Sequence, residues 1–564
     1  MTDKAGSVYR PNDTSIELDD SLFGDKSSSN YKLTSCTPRD NKNGADDAVI
    51  EYAEHDCHLT KSTAADAADM RRMGRSQELV RNFRMFSVAS FAAVATAAWE
   101  CAMFQITPAL LDGGRPGLLY STIWAIVGFT PIYLSMAEMA SMAPIAGAQY
   151  HWVSEFAPES MQRLLSYVSG WTSTLAMQAG QAIGILLTGT LIQTTILVNN
   201  PDYTSPSWHV FLFIVAAVVT AFAGSVWGHR SLPRWQNIAF ALHVLAYFAI
   251  IIPVWVNGPK ATSEQVWTGF ENSGGWPSLT LAVLIGQAPG AGFLVGADVG
   301  VHVSEEVRNA ATSVPKAMLA VFVSNFLLTL PLLVTIVYHL PDIAVALKDN
   351  TSYPVVYVLR QSMSTNWVTG VLVVVNFLVV CSNVSFLTAA SRDLFAFSRD
   401  KGFPLSDWIS KIDPKRPVPQ NAAIVTSIST LGMALIYLGS PVAFYAISSL
   451  FTVALLQCYC LSIGCFLWRR IYYPETLPHA QFSLGRYGIP INAVAVLFAL
   501  WTFFWAFWPE SYPVTAGNFN WSSILFGAAL IGALVHFALV GRHRYHGPVA
   551  LVDGRKVRSF SRQN

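Results

Sequence analysis

The sequence predicts an all-α membrane protein of twelve transmembrane helices, and three observations carry that reading. Only 13% of its 564 residues are charged while 52% are hydrophobic, against about 25% charged in an average soluble domain. The apolar residues gather into runs of about twenty, the length that crosses the hydrocarbon core of a bilayer. The basic residues are sorted by position: the loops of one side hold only Arg115, Lys260, Lys348 and Arg360, and the remaining 32 of the 36 Lys and Arg lie in the tails, the opposite loops or the span ends facing them. An even number of spans puts both termini on one side, and the positive-inside rule makes that side the cytosol.

Residues 1–82 are polar and rich in Ser, Thr, Asp, Asn and Lys. Such a segment buries too little surface to offset its ordering entropy and is expected to be a disordered cytosolic tail without a cleavable signal peptide. Residues 83–540 form the membrane domain, and 541–564 a cytosolic C-terminal tail. The spans are expected at roughly 84–111, 118–142, 164–197, 209–227, 236–257, 278–302, 314–340, 368–397, 421–439, 442–468, 490–508 and 522–540. Asn350-Thr351-Ser352 and Asn520-Trp521-Ser522 then face outward as glycosylation tripeptides. The seven cysteines fall in the cytosolic tail or the membrane, which predicts no disulfide framework and no zinc site. The basic residues flank spans without an aromatic platform, so nucleic acid is excluded as a partner and lipid is the expected surroundings.

Two spans are interrupted. In the sixth, Gly286 to Arg308 carries a proline, several glycines, Asp298 and His302 within membrane depth. Backbone that loses its helical bonds in hydrocarbon is tolerated only where protein or a cavity covers it, and an ionisable group there marks a functional site. In the first span, Glu100 lies near mid-membrane with Pro108 about two turns on. Broken helices five spans apart are the pattern of an inverted five-helix repeat with its solute site at the breaks.

Three motifs then carry a resemblance. Ser135-Met136-Ala137-Glu138-Met139-Ala140 continues through Pro144, Gly147, Gln149, Tyr150, His151 and Trp152. Gly296-Ala297-Asp298 runs through His302 to Glu305-Glu306-Val307-Arg308. Ser391-Arg392-Asp393-Leu394-Phe395 leads to Arg399-Asp400 and Pro404. Over residues 83–540 the chain resembles the amino acid–polyamine–organocation (APC) superfamily, in its fungal amino acid/GABA/choline permease branch. The resemblance implies a LeuT-like 5+5 inverted repeat with broken helices 1 and 6, two peripheral helices, and alternating-access uptake. Where the wider superfamily has a Gly-x-Gly turn in span one, this chain has approximately Trp99-Glu100-Cys101, which argues for a cationic or less acidic substrate.

The second half of span one starts with free N–H groups that suit a carboxylate, and the first half of span six ends with carbonyls that suit an ammonium group. Ala98, Trp99, Glu100 and Cys101 at one break and Gly290, Gly292, Phe293 and Gly296 at the other are therefore the expected substrate contacts. Gln178, Asn383 and Tyr445 either complete the cavity or serve as interhelical glue and packing. Glu100 either binds the substrate amine, carries a coupled proton, or rests on the helix dipole. Asp298 either caps the second half of span six or joins His302 and Glu306, at four-residue spacing on one α-helical face, in a proton relay. Glu138, Glu305, Glu306 and Arg392 at cytosolic span ends are inner-gate candidates.

The sequence thus reads as a secondary transporter, not an enzyme, that takes up a small amino compound such as an amino acid, GABA or choline. Coupling is to protons, with sodium left open, and no cofactor or metal is called for. The plasma membrane is the expected location, with the vacuolar membrane as the alternative. A non-transporting sensor of the same fold and a dedicated permease for a pathway metabolite are the rival functions.

Overall fold

A computed structural model describes residues 61–548, apart from 205, 352, 414–415 and 440–442. Twelve helices in it are long and apolar enough to cross a membrane: Met85–Leu111, Gly114–Met142, Gln162–Asn199, Ser207–Val226, Leu232–Asn257, Leu279–Glu306, Ala310–Tyr338, Thr365–Arg399, Gln420–Gly439, Phe444–Tyr472, Gly485–Trp505 and Ser522–Arg544. All twelve match the spans expected from hydropathy. Large apolar side chains stay exposed on the outward faces of spans five, eleven and twelve, among them Leu245, Val256, Leu497 and Leu539. In water such a surface is a liability, and in a bilayer it is the solvated face.

Span three is the hub, packed along spans eight and ten, while span one lies against spans five, seven and eight. Each half of five spans opens on a broken helix and follows its second span with a short helix. Ala148–Phe156 follows span two and Pro354–Ser362 follows span seven. Spans two and seven end on opposite faces, so the two short helices do as well, as inversion of the repeat requires.

Span one breaks at Ala97, which sits in the left-handed region at φ 41° between the helices Met85–Thr96 and Ala98–Phe104. The break therefore lies about two residues earlier than the sequence placed it, and Trp99 and Glu100 belong to the first turn of the second segment. An alanine there stores on the order of 1–2 kcal/mol that glycine would not. The gap is closed by side chains: Ser382 of span eight donates to the Ala95 carbonyl at 2.8 Å. Thr96 Oγ1 turns back on the Ala92 and Ala93 carbonyls and accepts from Asn325 of span seven at 3.1 Å.

Span six comes apart in stages. Leu279–Ile285 begins under a Ser278 cap, Ala288–Gly292 follows with Pro289 in its first turn, and Gly296 turns left-handed at φ 95°. The chain then continues as a ten-residue 3₁₀ helix, Ala297–Glu306. With three residues per turn, positions 298, 302 and 306 are rotated by about 120° from one another. The single face expected of Asp298, His302 and Glu306 presupposed an α-helix and does not form.

Residues 61–82 were expected to be disordered and are not. They carry the helix Ala64–Arg72, capped by Thr63, and cross the face on which both described ends lie. Polar groups hold them: Asp66 accepts from the Asn309 and Ala310 N–H groups at 3.0 Å each and faces Arg81 at 3.4 Å. Gln77 donates to the Glu305 carbonyl at 2.8 Å, and Arg81 to those of Ser304 and Val307. Hydrogen bonds make this strap, and hydrophobic content does not register them. Residues 1–60, with Cys36 and Cys57, and residues 549–564 lie outside the described residues. The C-terminal tail expected from 541 instead begins within span twelve, whose helix reaches Arg544 before the buried Tyr545. Asn520 is tied into the fold, its amide nitrogen within hydrogen-bond distance of Ser449 Oγ and of the Ala506 and Trp508 carbonyls.

Strain at Ala97 gives a direct check. Ala97→Gly removes the left-handed penalty at a smaller cost in unfolded-chain entropy, and detergent-purified protein should keep or slightly raise its melting temperature. Ala97→Val adds β-branching at the same φ and should lower stability by about 1–3 kcal/mol; equal melting temperatures for the two variants would remove strain from the account.

Candidate functional site

At the span-one break the first bond of the second segment runs from the Cys101 N–H to the Ala97 carbonyl at 2.8 Å. The N–H groups of Ala98, Trp99 and Glu100 precede it and have no carbonyl one turn back. The Glu100 side chain, 1% exposed, finds a partner that the sequence did not disclose: His243 of span five. Trp99 Nε1 donates to His243 Nε2 at 3.0 Å. An indole N–H has no acceptor role, so Nε2 is bare and the ring proton sits on Nδ1, which donates to Glu100 Oε1 at 2.5 Å. Glu100 Oε2 is buried without a hydrogen-bond partner among the described residues, leaving one oxygen free for a proton or a cation. Trp99 is thereby turned onto span five, packed against His243 and Tyr247.

At the span-six break a tyrosine of span two replaces the missing backbone partners. Tyr133 Oη donates to the Leu294 carbonyl at 2.7 Å and accepts from the Ala297 N–H at 3.0 Å. Asp298 follows immediately and is fully enclosed. It does not cap the helix, because the N-cap is Gly296 and makes no side-chain bond. Its carboxylate instead accepts from Tyr459 of span ten at 2.5 Å and from Gln149 of the helix between spans two and three. Four residues on, His302 Nδ1 donates to the Ala146 carbonyl at 3.0 Å and lies 3.5 Å from Asp393 of span eight. Asp393 also accepts from Ser173 and Thr174 of span three at 2.8 and 3.1 Å, and His302 Nε2 has no hydrogen-bond partner among the described residues.

Glu100, Asp298 and Asp393 are thus three buried carboxyls held by neutral donors or by histidine, with no Lys or Arg within salt-bridge distance among the described residues. Asp393 belonged to the third motif without an assigned role, and Tyr133, Gln149 and Tyr459 also went unassigned. His243 is one histidine in an apolar run 143 residues away in sequence, and nothing in its neighbourhood announces the pairing.

On the face carrying the chain ends, Glu305 pairs with Arg399 at 2.8 Å and Glu306 with Arg392 at 2.8 Å, joining span six to span eight. Arg75 of the strap binds Asp400, which also accepts from Tyr150 at 3.0 Å. These pairs tie span six and the strap to span eight and to the residue that follows it. Glu138 differs from the other gate candidates, because it binds Arg470 at 2.5 Å together with Ser483 and the Leu484 N–H, bracing spans two and ten and the link that leads to span eleven.

A cavity of about 90 Å³ enters from the opposite face and reaches Gly292 and Thr452. Its wall includes Gln105, Pro108, Tyr445 and Ser448, with Asp112 and Glu510 nearer the surface. Of the expected substrate contacts, Gly292 and Tyr445 line it, whereas Ala98, Trp99, Glu100, Cys101, Gly290, Phe293 and Gly296 lie around the two breaks outside its wall. Gln178 donates to Thr426 of span nine at 3.3 Å, and Asn383 to Thr188 of span three at 2.8 Å. Both tie helices together in this conformation.

The chain is matched from residue 84 to residue 530 by the family model described as amino acid permease. It is 28% identical over 522 residues to the amino-acid permease BAT1 homolog of Oryza sativa, covering 88% of this chain and 99% of that one. It is 25% identical over 488 residues to an uncharacterized amino-acid permease of Schizosaccharomyces pombe, covering 86% and 85%. The choline transporter of Saccharomyces cerevisiae is 22% identical over 474 residues, covering 83% of each. The motifs around Glu138, Asp298 and Arg392, the twelve spans and the match over residues 84–530 agree: the chain belongs to the amino acid permease family of the amino acid–polyamine–organocation superfamily, a family of membrane transporters.

Proposed function

We propose that this transporter takes up a small amino compound, an amino acid, GABA or choline, by alternating access coupled to protons, with both termini in the cytosol of a cell whose plasma membrane it spans. The observation that carries the reading is Glu100: a buried carboxyl at the start of a half-helix, with one oxygen fixed by His243 and the other bare. The substrate's ammonium group is held by Glu100 Oε2 and the carbonyls ending the first part of span six. A carboxylate, where the substrate has one, faces the N–H groups of residues 98–100. The names of the relatives, amino-acid permeases and a choline transporter, fit this range of guests.

In this orientation the cavity at Gly292 and Tyr445 opens outward, and the Glu305–Arg399 and Glu306–Arg392 pairs are the closed inner gate. Opening inward separates spans six and eight and breaks those pairs. Their partners are almost fully desolvated, so each lone charge must be rehydrated by the inner vestibule as the gate parts. A proton leaving Glu100 has buried acceptors along the way in Asp298, His302 Nε2 and Asp393. They form a route across several elements in place of the one helical face expected from spacing. Sodium in place of the proton is the competing form of coupling.

Glu100→Gln keeps size and one acceptor but holds no transferable proton. Uptake of labelled alanine, GABA and choline in a permease-deficient host should fall at least tenfold at pH 5.5 and lose its dependence on external pH, with surface abundance unchanged. Full, pH-dependent uptake would remove Glu100 from the mechanism, and sodium-dependent, pH-independent uptake by the parent protein would replace proton coupling. Asp298→Asn preserves the acceptor for Tyr459 and should slow transport at least tenfold while binding survives; wild-type rates would take Asp298 out of the proton route.

A further inference from the structure

The mouth of the cavity holds two carboxyls for which the transport cycle above has no role. Asp112 lies in the short link between spans one and two and is 1% exposed. Glu510 comes from the loop between spans eleven and twelve. Both line the cavity. Neither Asp112 oxygen has a hydrogen-bond partner among the described residues, nor has Glu510 Oε1. The site is shaped around the aspartate: a Cβ added at Gly274 would lie 1.9 Å from Asp112 Oδ1, and one at Gly286 would lie 1.9 Å from its carbonyl oxygen. Gly274 also accepts from the Tyr512 N–H at 2.7 Å, which fastens the Glu510 loop beside it.

No Lys or Arg among the described residues pairs with either carboxyl. Arg115, three residues on, is turned to the Leu340 and Pro341 carbonyls and to Glu271 at 3.6 Å. Trp276 lies beside Asp112 without hydrogen-bond geometry, and Tyr445 faces Glu510 across the cavity. Burial pushes the Asp112 carboxyl up to about 7; burial, with the Asp112 charge next to it, pushes Glu510 up to about 7 as well. Two bare carboxyls in one water-accessible recess are stabilised by a shared proton or by a cation. The aromatic side chains Tyr445 and Trp508 on the same wall favour an organic cation over a small hydrated metal ion.

We propose that Asp112 and Glu510 form an outer binding site for the ammonium group of an organic cation, occupied before the guest reaches the breaks. This rests on the reading of the cavity as the external entrance. The pair is ionised and binds above about pH 7, and it is protonated and releases below.

Tetramethylammonium titrated calorimetrically into the purified full chain, in potassium buffer, tests the site separately from transport. At pH 8 the wild-type protein should bind at least tenfold more tightly than at pH 6. Asp112→Asn/Glu510→Gln should lose both the affinity and the pH effect, whereas Glu510→Asp, which keeps the charge, should retain the pH effect. Uptake by the double variant should then show a raised KM with little change in maximal rate. No binding at pH 8, unchanged binding by the double variant, or a response to sodium alone would overturn the outer site. Should uptake persist in that case, the transport reading stands without it; should wild-type uptake be absent while the titration succeeds, the transport reading fails instead.

Discussion

A peptide group cannot be left bare in hydrocarbon, and this protein leaves several bare twice. The peptide groups left over on either side of Ala97 and Gly296 need substitute partners, since each unsatisfied group in that medium costs several kcal/mol. The substitutes come from other spans: Ser382 for the Ala95 carbonyl at the first break, and Tyr133 for the Leu294 carbonyl and the Ala297 N–H at the second. The twelve-span scaffold is arranged to deliver them. Span three, at the centre, holds span eight and span ten in register, and those two spans carry Ser382, Asp393 and Tyr459 to the broken helices. Conformational freedom at the breaks then comes from exchangeable side-chain bonds. An unbroken helix would have none of it.

The polar interior follows a consistent division. Carboxyls at the centre are held by hydroxyl, amide and imidazole groups, and carboxyls at the face carrying the chain ends are held by arginine. Glu100, Asp298 and Asp393 face His243, Tyr459, Gln149, Ser173, Thr174 and His302, whereas Glu305, Glu306, Asp400 and Glu138 face Arg399, Arg392, Arg75 and Arg470. Full ion pairs suit a gate, because breaking them has a large and definite cost. Carboxyls without a fixed cation suit exchange, because a proton or an ammonium group can complete them.

Much of this was legible in the sequence. Runs of about twenty apolar residues fix the spans, and the clustering of Pro, Gly, Asp and His in span six, with Glu100 in span one, marks the breaks. The remainder was hidden for identifiable reasons. A left-handed alanine has no sequence signature, so the first break was placed at Trp99–Cys101 instead of Ala97. Four-residue spacing implies a shared face only on an α-helix, and the 3₁₀ geometry of Ala297–Glu306 cancels that inference for Asp298, His302 and Glu306. The partnership of Glu100 with His243 is purely tertiary. The strap at 61–82 escaped notice because hydropathy registers apolar burial and is blind to an Asp66 that satisfies backbone N–H groups 243 and 244 residues away.

The central claim is that a small charged guest sits between two unwound helices and is read by their free peptide dipoles and by Glu100. The most direct measurement is a high-resolution structure of the full chain with the compound that proves to be transported. The account expects density between Ala97–Glu100 and Gly290–Leu294, with the guest's ammonium group within hydrogen-bond reach of Glu100 Oε2 or of the span-six carbonyls. Density elsewhere, with both spans wound through and Glu100 still enclosed by His243 alone, would contradict it.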